Sequence, residues 1–185
     1  LVNWYVRNDE NVKYLKEFGK NPTYLRSVIF NKKKINVSSS IKEITETSDI
    51  IILAIPSPFL ENELMKIKLQ LKNKIIFSAL KGVVPKTHLI VSEHLNKYYK
   101  ISLDKIGIIT GPCHAEEVAL DKLSYLTVAC KNKSIGEEMK TALESNYIKV
   151  KFSKDTMGVE YAAMLKNVYA IIAGVAHGLG YGDNF

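Results

Sequence analysis

The sequence has little that would carry metal or disulfide chemistry. Its two cysteines, Cys113 and Cys130, show neither C-x-x-C spacing nor a histidine at zinc-ligand spacing. A reduced, cytoplasmic setting is therefore expected, and a disulfide between the two is the less favoured arrangement. No cluster of His, Asp and Glu marks a metal site. No glycine-rich G-x-G-x-x-G turn follows a strand; Gly174, Gly178, Gly180 and Gly182 lie in or after an apolar helical stretch, the wrong context for holding a phosphate. No apolar run free of charge approaches the ~20 residues that span a bilayer, and residues 167–176 make a run that is too short and contains Asn, so no integral membrane segment is expected. The opening Leu1-Val2-Asn3-Trp4-Tyr5 has no initiator Met and no signal-peptide pattern. The chain is accordingly expected to be a piece of a longer protein.

What is present reads as a globular α/β protein. The 185 residues are 46% hydrophobic and 24% charged, enough for one domain and part of a second. The net charge of +7 comes from scattered lysines with one short run, Lys32-Lys33-Lys34. That pattern argues against nucleic acid and is compatible with an anionic small molecule. Strand patterns fall at residues 1–7, 35–37, 49–55, 74–79, 106–110, 123–130 and 149–152. The run D-I-I-I-L-A-I reads as a strand buried on both faces. Helices are expected over 11–18, from a Ser40–Glu43 capping box to residue 46, over 59–71, over 87–99, from Gly111-Pro112 to residue 119, and over 134–143. This alternation predicts a doubly wound, Rossmann-type parallel sheet over residues 1–153, then the first helix of an all-α domain over 154–185.

In such sheets ligands bind beyond the carboxyl ends of the strands. Arg7 lies at one such end, where an arginine suits a 2′-phosphate; Asp9 and Glu10 follow closely and keep the unphosphorylated dinucleotide open. Phe59, after Pro56-Ser57-Pro58, could cover a planar ring. Lys81, beside Gly82, could donate to a carbonyl or phosphate. Gly111-Pro112 suggests a helix start with free N–H groups. For each, a plain surface or core role is the alternative. The residue that stands out most is Lys166. Residues 159–179 carry three readily charged side chains, Glu160, Lys166 and His177, and a segment so apolar is expected to be buried. A buried lysine is paired or shifted toward the neutral amine, which suits general acid–base work. Ala162, Ala163 and Ala170 beside it leave a groove, and a lysine snorkelling to solvent is the bland alternative.

The motifs S-A-L-K-G-V, G-P-C-H-A-E-E-V-A and G-V-E-Y-A-A-M-L-K-N-V-Y-A-I-I-A-G-V-A-H-G-L-G-Y-G-D-N-F, with W-Y-V-R and A-I-P-S-P-F-L in the same order, resemble bacterial NAD(P)-dependent glycerol-3-phosphate dehydrogenase. The resemblance implies reversible reduction of dihydroxyacetone phosphate to sn-glycerol 3-phosphate with NAD(P)H, serving phospholipid synthesis in the cytoplasm, and a homodimer. It implies Lys166 as the catalytic lysine and Lys81, Gly111, Cys113 and Lys166 as substrate contacts. Arg7, Phe59, Lys81 and Ala115 become cofactor contacts, with no metal. Two departures matter. Cys113 stands where the family has Ser, and a thiol is the weaker donor. The family's first strand, its glycine-rich turn and its later helical domain have no counterpart here, so the piece alone is expected to be inactive. A related hydroxy-acid or sugar dehydrogenase and a non-catalytic nucleotide- or partner-binding module are the alternatives.

Overall fold

The computed structural model describes residues 1–182; Asp183, Asn184 and Phe185, the end of the long apolar motif, lie outside the described residues. Local chemistry sets the element ends. After β1 (Val2–Tyr5), Asn8 is extended and its side-chain oxygen accepts the Glu10 and Asn11 N–H groups at 2.8 and 3.1 Å, opening α1 (Asp9–Phe18). Gly19, at φ 65°, closes that helix in the left-handed region. Beyond β2 (Ile35–Ser38), Ser40 caps α2 (Ile41–Glu46) by accepting the Glu43 N–H at 3.3 Å. The return half of the capping box runs through a third residue. Ser38 Oγ donates to Glu43 Oε2 at 2.6 Å and accepts the Ser40 N–H at 3.1 Å.

The sheet is divided. β1 and β2 pair in parallel by themselves. β3 (Ile50–Leu53), β4 (Ile75–Ser78), β7 (Ile106–Thr110), β8 (Ser124–Cys130) and β9 (Ile148–Ser153) form a second sheet in that order. β3, β4 and β7 run parallel; β8 turns antiparallel to β7, and β9 runs parallel to β8. α3 (Ser57–Lys66) and α4 (Val91–Tyr99) cover one face, α6 (Lys133–Leu143) the other. This is the doubly wound α/β architecture the alternation predicts, with the added reversal at β8. β4 shows the two-sided burial best: Ile76 enters the core under α3 and α4, and its neighbour Phe77 enters the core under α6.

Several expectations need correction. β3 is not buried on both faces, for Ile52 is 47% exposed. Its free edge faces β1 across a groove of about 220 Å³ lined by Trp4, Tyr5 and Ile51 to Ile55, so no strand covers that side among the described residues. The helix expected from residue 87 starts only at Val91, because β5 (Val83–Val84) and β6 (Leu89–Ile90) form a small hairpin, with His88 at φ 55° in its turn. The helix expected to 71 ends at Lys66, and a 3₁₀ turn follows at Gln70–Asn73. Gly111-Pro112 does not open a helix. α5 (Ala115–Val118) starts at Ala115, with the extended His114 as its cap.

α6 depends on a single polar side chain at its start. Asn132 accepts the Ser134 and Ile135 N–H groups at 3.0 and 3.3 Å. Asn132→Ala is expected to cost about 1 kcal/mol. Thermal denaturation should show a fall of roughly 2–4 °C; an unchanged midpoint would show that water satisfies those donors equally well.

α7 (Thr156–Gly178) departs most from expectation. Asp155 caps it, accepting the Gly158 N–H at 2.8 Å. It was expected to be buried, yet within it only Thr156, Glu160 and Ala176 are buried among the described residues, while Ile171 is 68% and Val175 57% exposed. The helix packs on β7 and β8, and beyond Lys166 its large apolar side chains Val168, Tyr169, Ile171, Ile172 and Val175 are exposed. An 18-residue window of this 23-residue helix has a mean hydropathy of 1.2, so by length and composition alone it is long and apolar enough to cross a membrane, a property that core helices of soluble proteins share.

Candidate active site

The carboxyl edge of the second sheet and the first turns of α7 enclose a cavity of about 320 Å³. Lys81, beyond the end of β4, and Lys166, on α7, both line it. Gly111 and Pro112 form one wall, and Val159, Ala162 and Ala163 of α7 form another. Two ammonium groups on one small cavity attract a dianion and stabilise negative charge developing on an oxygen. Ala162 and Ala163 act as the small neighbours the sequence suggested. Tyr169 and Ala170 do not line the cavity.

Lys166 itself corrects its own argument. It is exposed, not buried, because the cavity opens to solvent where α7 leaves the sheet. Its location on the cavity, rather than desolvation, is what supports a chemical role.

Gly111 shapes the wall. Its φ is 147°, and a Cβ built there would lie 2.3 Å from the Tyr125 carbonyl oxygen and 2.9 Å from Leu126 Cα. β8 presses against this turn, so only a residue without a side chain allows the approach. Cys113 is half-buried and does not line the cavity. Ala115 is the exposed first residue of α5, and a four-residue helix with such a short turn is not the anion site that Gly111-Pro112 suggested.

A second cluster lies farther along the edge. The Arg7 guanidinium carbon sits 5.6 Å from the centre of the Phe59 ring, bringing the ends of β1 and α3 together. Phe59 is 49% exposed. Beside it, Glu63 accepts from Tyr5 Oη at 3.1 Å and pairs with Lys66 at 2.8 Å. Burial, then the Glu63 hydrogen bond, pushes the Tyr5 phenol above its usual range.

Sequence reasoning missed three residues. Thr110 and Thr127 line the cavity and face each other across β7 and β8. No local pattern signals that pair, because it depends on β8 running antiparallel. Glu160 was visible as one of the few charged residues of the apolar segment, but its partners are 68 and 69 residues away. Its carboxylate accepts the Val91 N–H at 2.8 Å, the Ser92 N–H at 3.3 Å and the Ser92 hydroxyl at 2.5 Å. Burial pushes this carboxyl above the usual carboxylate range, against the downward pull of those hydrogen bonds.

Fold and site together define a class: a doubly wound α/β domain of the dinucleotide-binding kind, with a lysine-bearing helix laid against its carboxyl edge. Comparison with known proteins narrows this. The sequence profile of the NAD-dependent glycerol-3-phosphate dehydrogenase N-terminus matches residues 1–136, and that of the C-terminus matches residues 155–185. The chain belongs to the NAD-dependent glycerol-3-phosphate dehydrogenase family. The NAD(P)+ glycerol-3-phosphate dehydrogenase of Exiguobacterium sp. is 33% identical over 97% of this chain and 53% of that protein. The one from Aster yellows witches'-broom phytoplasma is 37% identical over 95% and 52%. The chain thus spans about half the length of the curated relatives it matches. The fold is shared with yeast glycerol-3-phosphate dehydrogenase, at TM-score 0.86 and 24% identity, covering 100% of this chain and 56% of that one. The Coxiella burnetii enzyme gives TM-score 0.83 and 22% identity, covering 99% and 55%.

Proposed function

We propose that the full-length protein interconverts dihydroxyacetone phosphate and sn-glycerol 3-phosphate with NAD(P)H. The observation that carries this reading is the convergence of Lys81 and Lys166 on one cavity at the carboxyl edge, in a chain of this family. NAD(P)H, when bound, supplies the hydride. Arg7 and Phe59 fit a dinucleotide because together they offer a cation and an exposed aromatic face at a strand end. Ala115 and Lys81 extend that assignment toward the cavity.

As the ketone carbon is reduced, negative charge grows on its oxygen. The Lys166 ammonium stabilises that charge and delivers the proton; in the reverse direction its amine accepts the proton from the alcohol. Lys81 adds a second positive charge beside the same oxygen or the substrate phosphate. The Gly111 backbone provides the close wall, and the Cys113 thiol, outside the cavity lining, is the weakest of the substrate assignments. In this reading residues 1–153 form the cofactor domain and residues 154–185 begin the substrate domain. The groove between β1 and β3 suits one additional strand, whose following turn would hold the pyrophosphate. The product feeds phospholipid synthesis in the cytoplasm, and the active form is a homodimer.

The test is to assay the full-length protein with dihydroxyacetone phosphate and with NADH or NADPH, following oxidation of the reduced cofactor. Turnover with dihydroxyacetone phosphate in clear preference to other ketones is expected. Turnover confined to another hydroxy acid or sugar derivative, or none with any ketone, would sink the reading. No observation comparable to the paired lysines favours a different substrate or a non-catalytic module.

A further inference from the structure

α4 starts without a cap of its own. Its N-cap residue, Ile90, has an apolar side chain, and the Val91 and Ser92 N–H groups would be orphaned in a fully buried place. A side chain from α7 satisfies them. Glu160, 2% exposed, accepts both N–H groups and the Ser92 hydroxyl. The carboxylate also faces the positive end of the α4 dipole. Among the described residues, these are the hydrogen bonds that tie an α7 side chain to another element. Past Glu160 the helix has one further buried residue, Ala176, and Lys166 lies six positions along. At about 1.5 Å per residue, that puts Lys166 on the order of 9 Å down the helix axis from the clamp.

We propose that Glu160 is the positioning residue for Lys166: by capping α4 it sets the depth and rotation at which α7 presents the lysine to the Lys81–Gly111 cavity. The proposal rests on the catalytic reading of Lys166 given above. What matters for this role is the reach of the side chain and its pattern of hydrogen bonds, not its charge. A glutamine keeps the reach and the partners: its oxygen accepts the two N–H groups, and the bond to Ser92 Oγ is retained with its direction reversed, the amide N–H donating where the carboxylate accepted. An aspartate keeps the charge but is one methylene shorter, so the cap closes only if α7 shifts by roughly 1.5 Å. A misplacement of that size at a reacting group costs about 10²-fold in rate.

The experiment compares Glu160→Asp and Glu160→Gln in the full-length protein. Glu160→Asp is expected to lower kcat by roughly 10–100-fold, and Glu160→Gln by no more than about 3-fold. The KM for NAD(P)H should hold within about 2-fold in both, because the proposed cofactor contacts lie on other elements. The opposite order, with Gln impaired and Asp near normal, overturns the proposal in favour of an electrostatic role for the charge. Equal loss in both overturns it in favour of plain destabilisation. Where Glu160→Asp does not fold, Ser92→Ala removes one hydrogen bond to the same carboxylate. It is expected to lower kcat roughly 3–10-fold at unchanged cofactor KM, and an unchanged kcat overturns the proposal. Dimethyl-lysine NMR of Lys166 needs no turnover. Its resonance should move in Glu160→Asp and stay in Glu160→Gln, so the positioning is judged even if wild-type protein proves inactive on dihydroxyacetone phosphate.

Discussion

Lys166→Ala in the full-length protein is expected to lower kcat by about 10³-fold while the KM for NAD(P)H changes little. The size follows from the two roles one ammonium fills. Delivering a proton in the transition state contributes about 10²–10⁴-fold, and holding charge on the ketone oxygen overlaps with that effect rather than multiplying it. Lys81 stays on the same cavity, so some stabilisation of the oxyanion survives the deletion. The cofactor is expected to bind normally because Arg7 and Phe59 lie at the ends of β1 and α3 and not on α7. Steady-state kinetics with saturating cofactor checks this. A variant that turns over at the wild-type rate would remove Lys166 from the chemistry and leave Lys81 as the sole lysine on the cavity.

The second large effect is on stability. Gly111→Ala is expected to destabilise the protein by about 3–5 kcal/mol, lowering the thermal midpoint by roughly 10 °C. Two penalties combine. A φ of 147° strains any residue with a side chain, and the new methyl would meet backbone atoms of Tyr125 and Leu126 at 2.3 and 2.9 Å. Backbone atoms of a paired strand cannot step aside as a side-chain tip can. β8 would have to separate from the turn, opening the wall of the cavity as well. Gly174→Ala is the internal comparison. It lies in α7 with no heavy atom within 4 Å of a built Cβ, so the change should be neutral or stabilise by about 0.5–1 kcal/mol. Denaturant unfolding of both variants decides the matter; equal midpoints would show that the turn at Gly111 relaxes freely.

Much of the fold was legible because short-range rules dominate where elements begin and end. Ser40 opens α2 as its capping box announced; Asn8 and Asn132 follow the same short-range rule at α1 and α6, though no capping box marks them. Apolar runs of strand length marked β3, β4 and β7. The misreadings share a cause. D-I-I-I-L-A-I has the composition of a two-sided strand, but burial of its second face depends on what lies beside it, and that side is an open groove. Residues 87–99 read as one helix because nothing local announces that Val83–Val84 pairs with Leu89–Ile90.

The candidate site divides along the same line. The pattern of residues alone was enough to single out Lys166, Lys81, Gly111, Arg7 and Phe59, because a lone cation in an apolar helix, a lysine beside glycine and a glycine before proline are local anomalies. Those anomalies are written in neighbouring residues, and the family resemblance rests on the same short motifs. Whether the residues meet is a matter of tertiary structure. Folding brought Lys81 and Lys166 to one cavity, set Thr110 opposite Thr127 and left Cys113 off the lining. It also reversed the argument first made for Lys166, since burial is a property of what packs against a helix and not of the helix's own composition. Glu160 makes the point most directly. Its chemistry is spelled out in one letter, but its role comes from amide groups 68 and 69 residues away, which only the packed chain brings within hydrogen-bond reach.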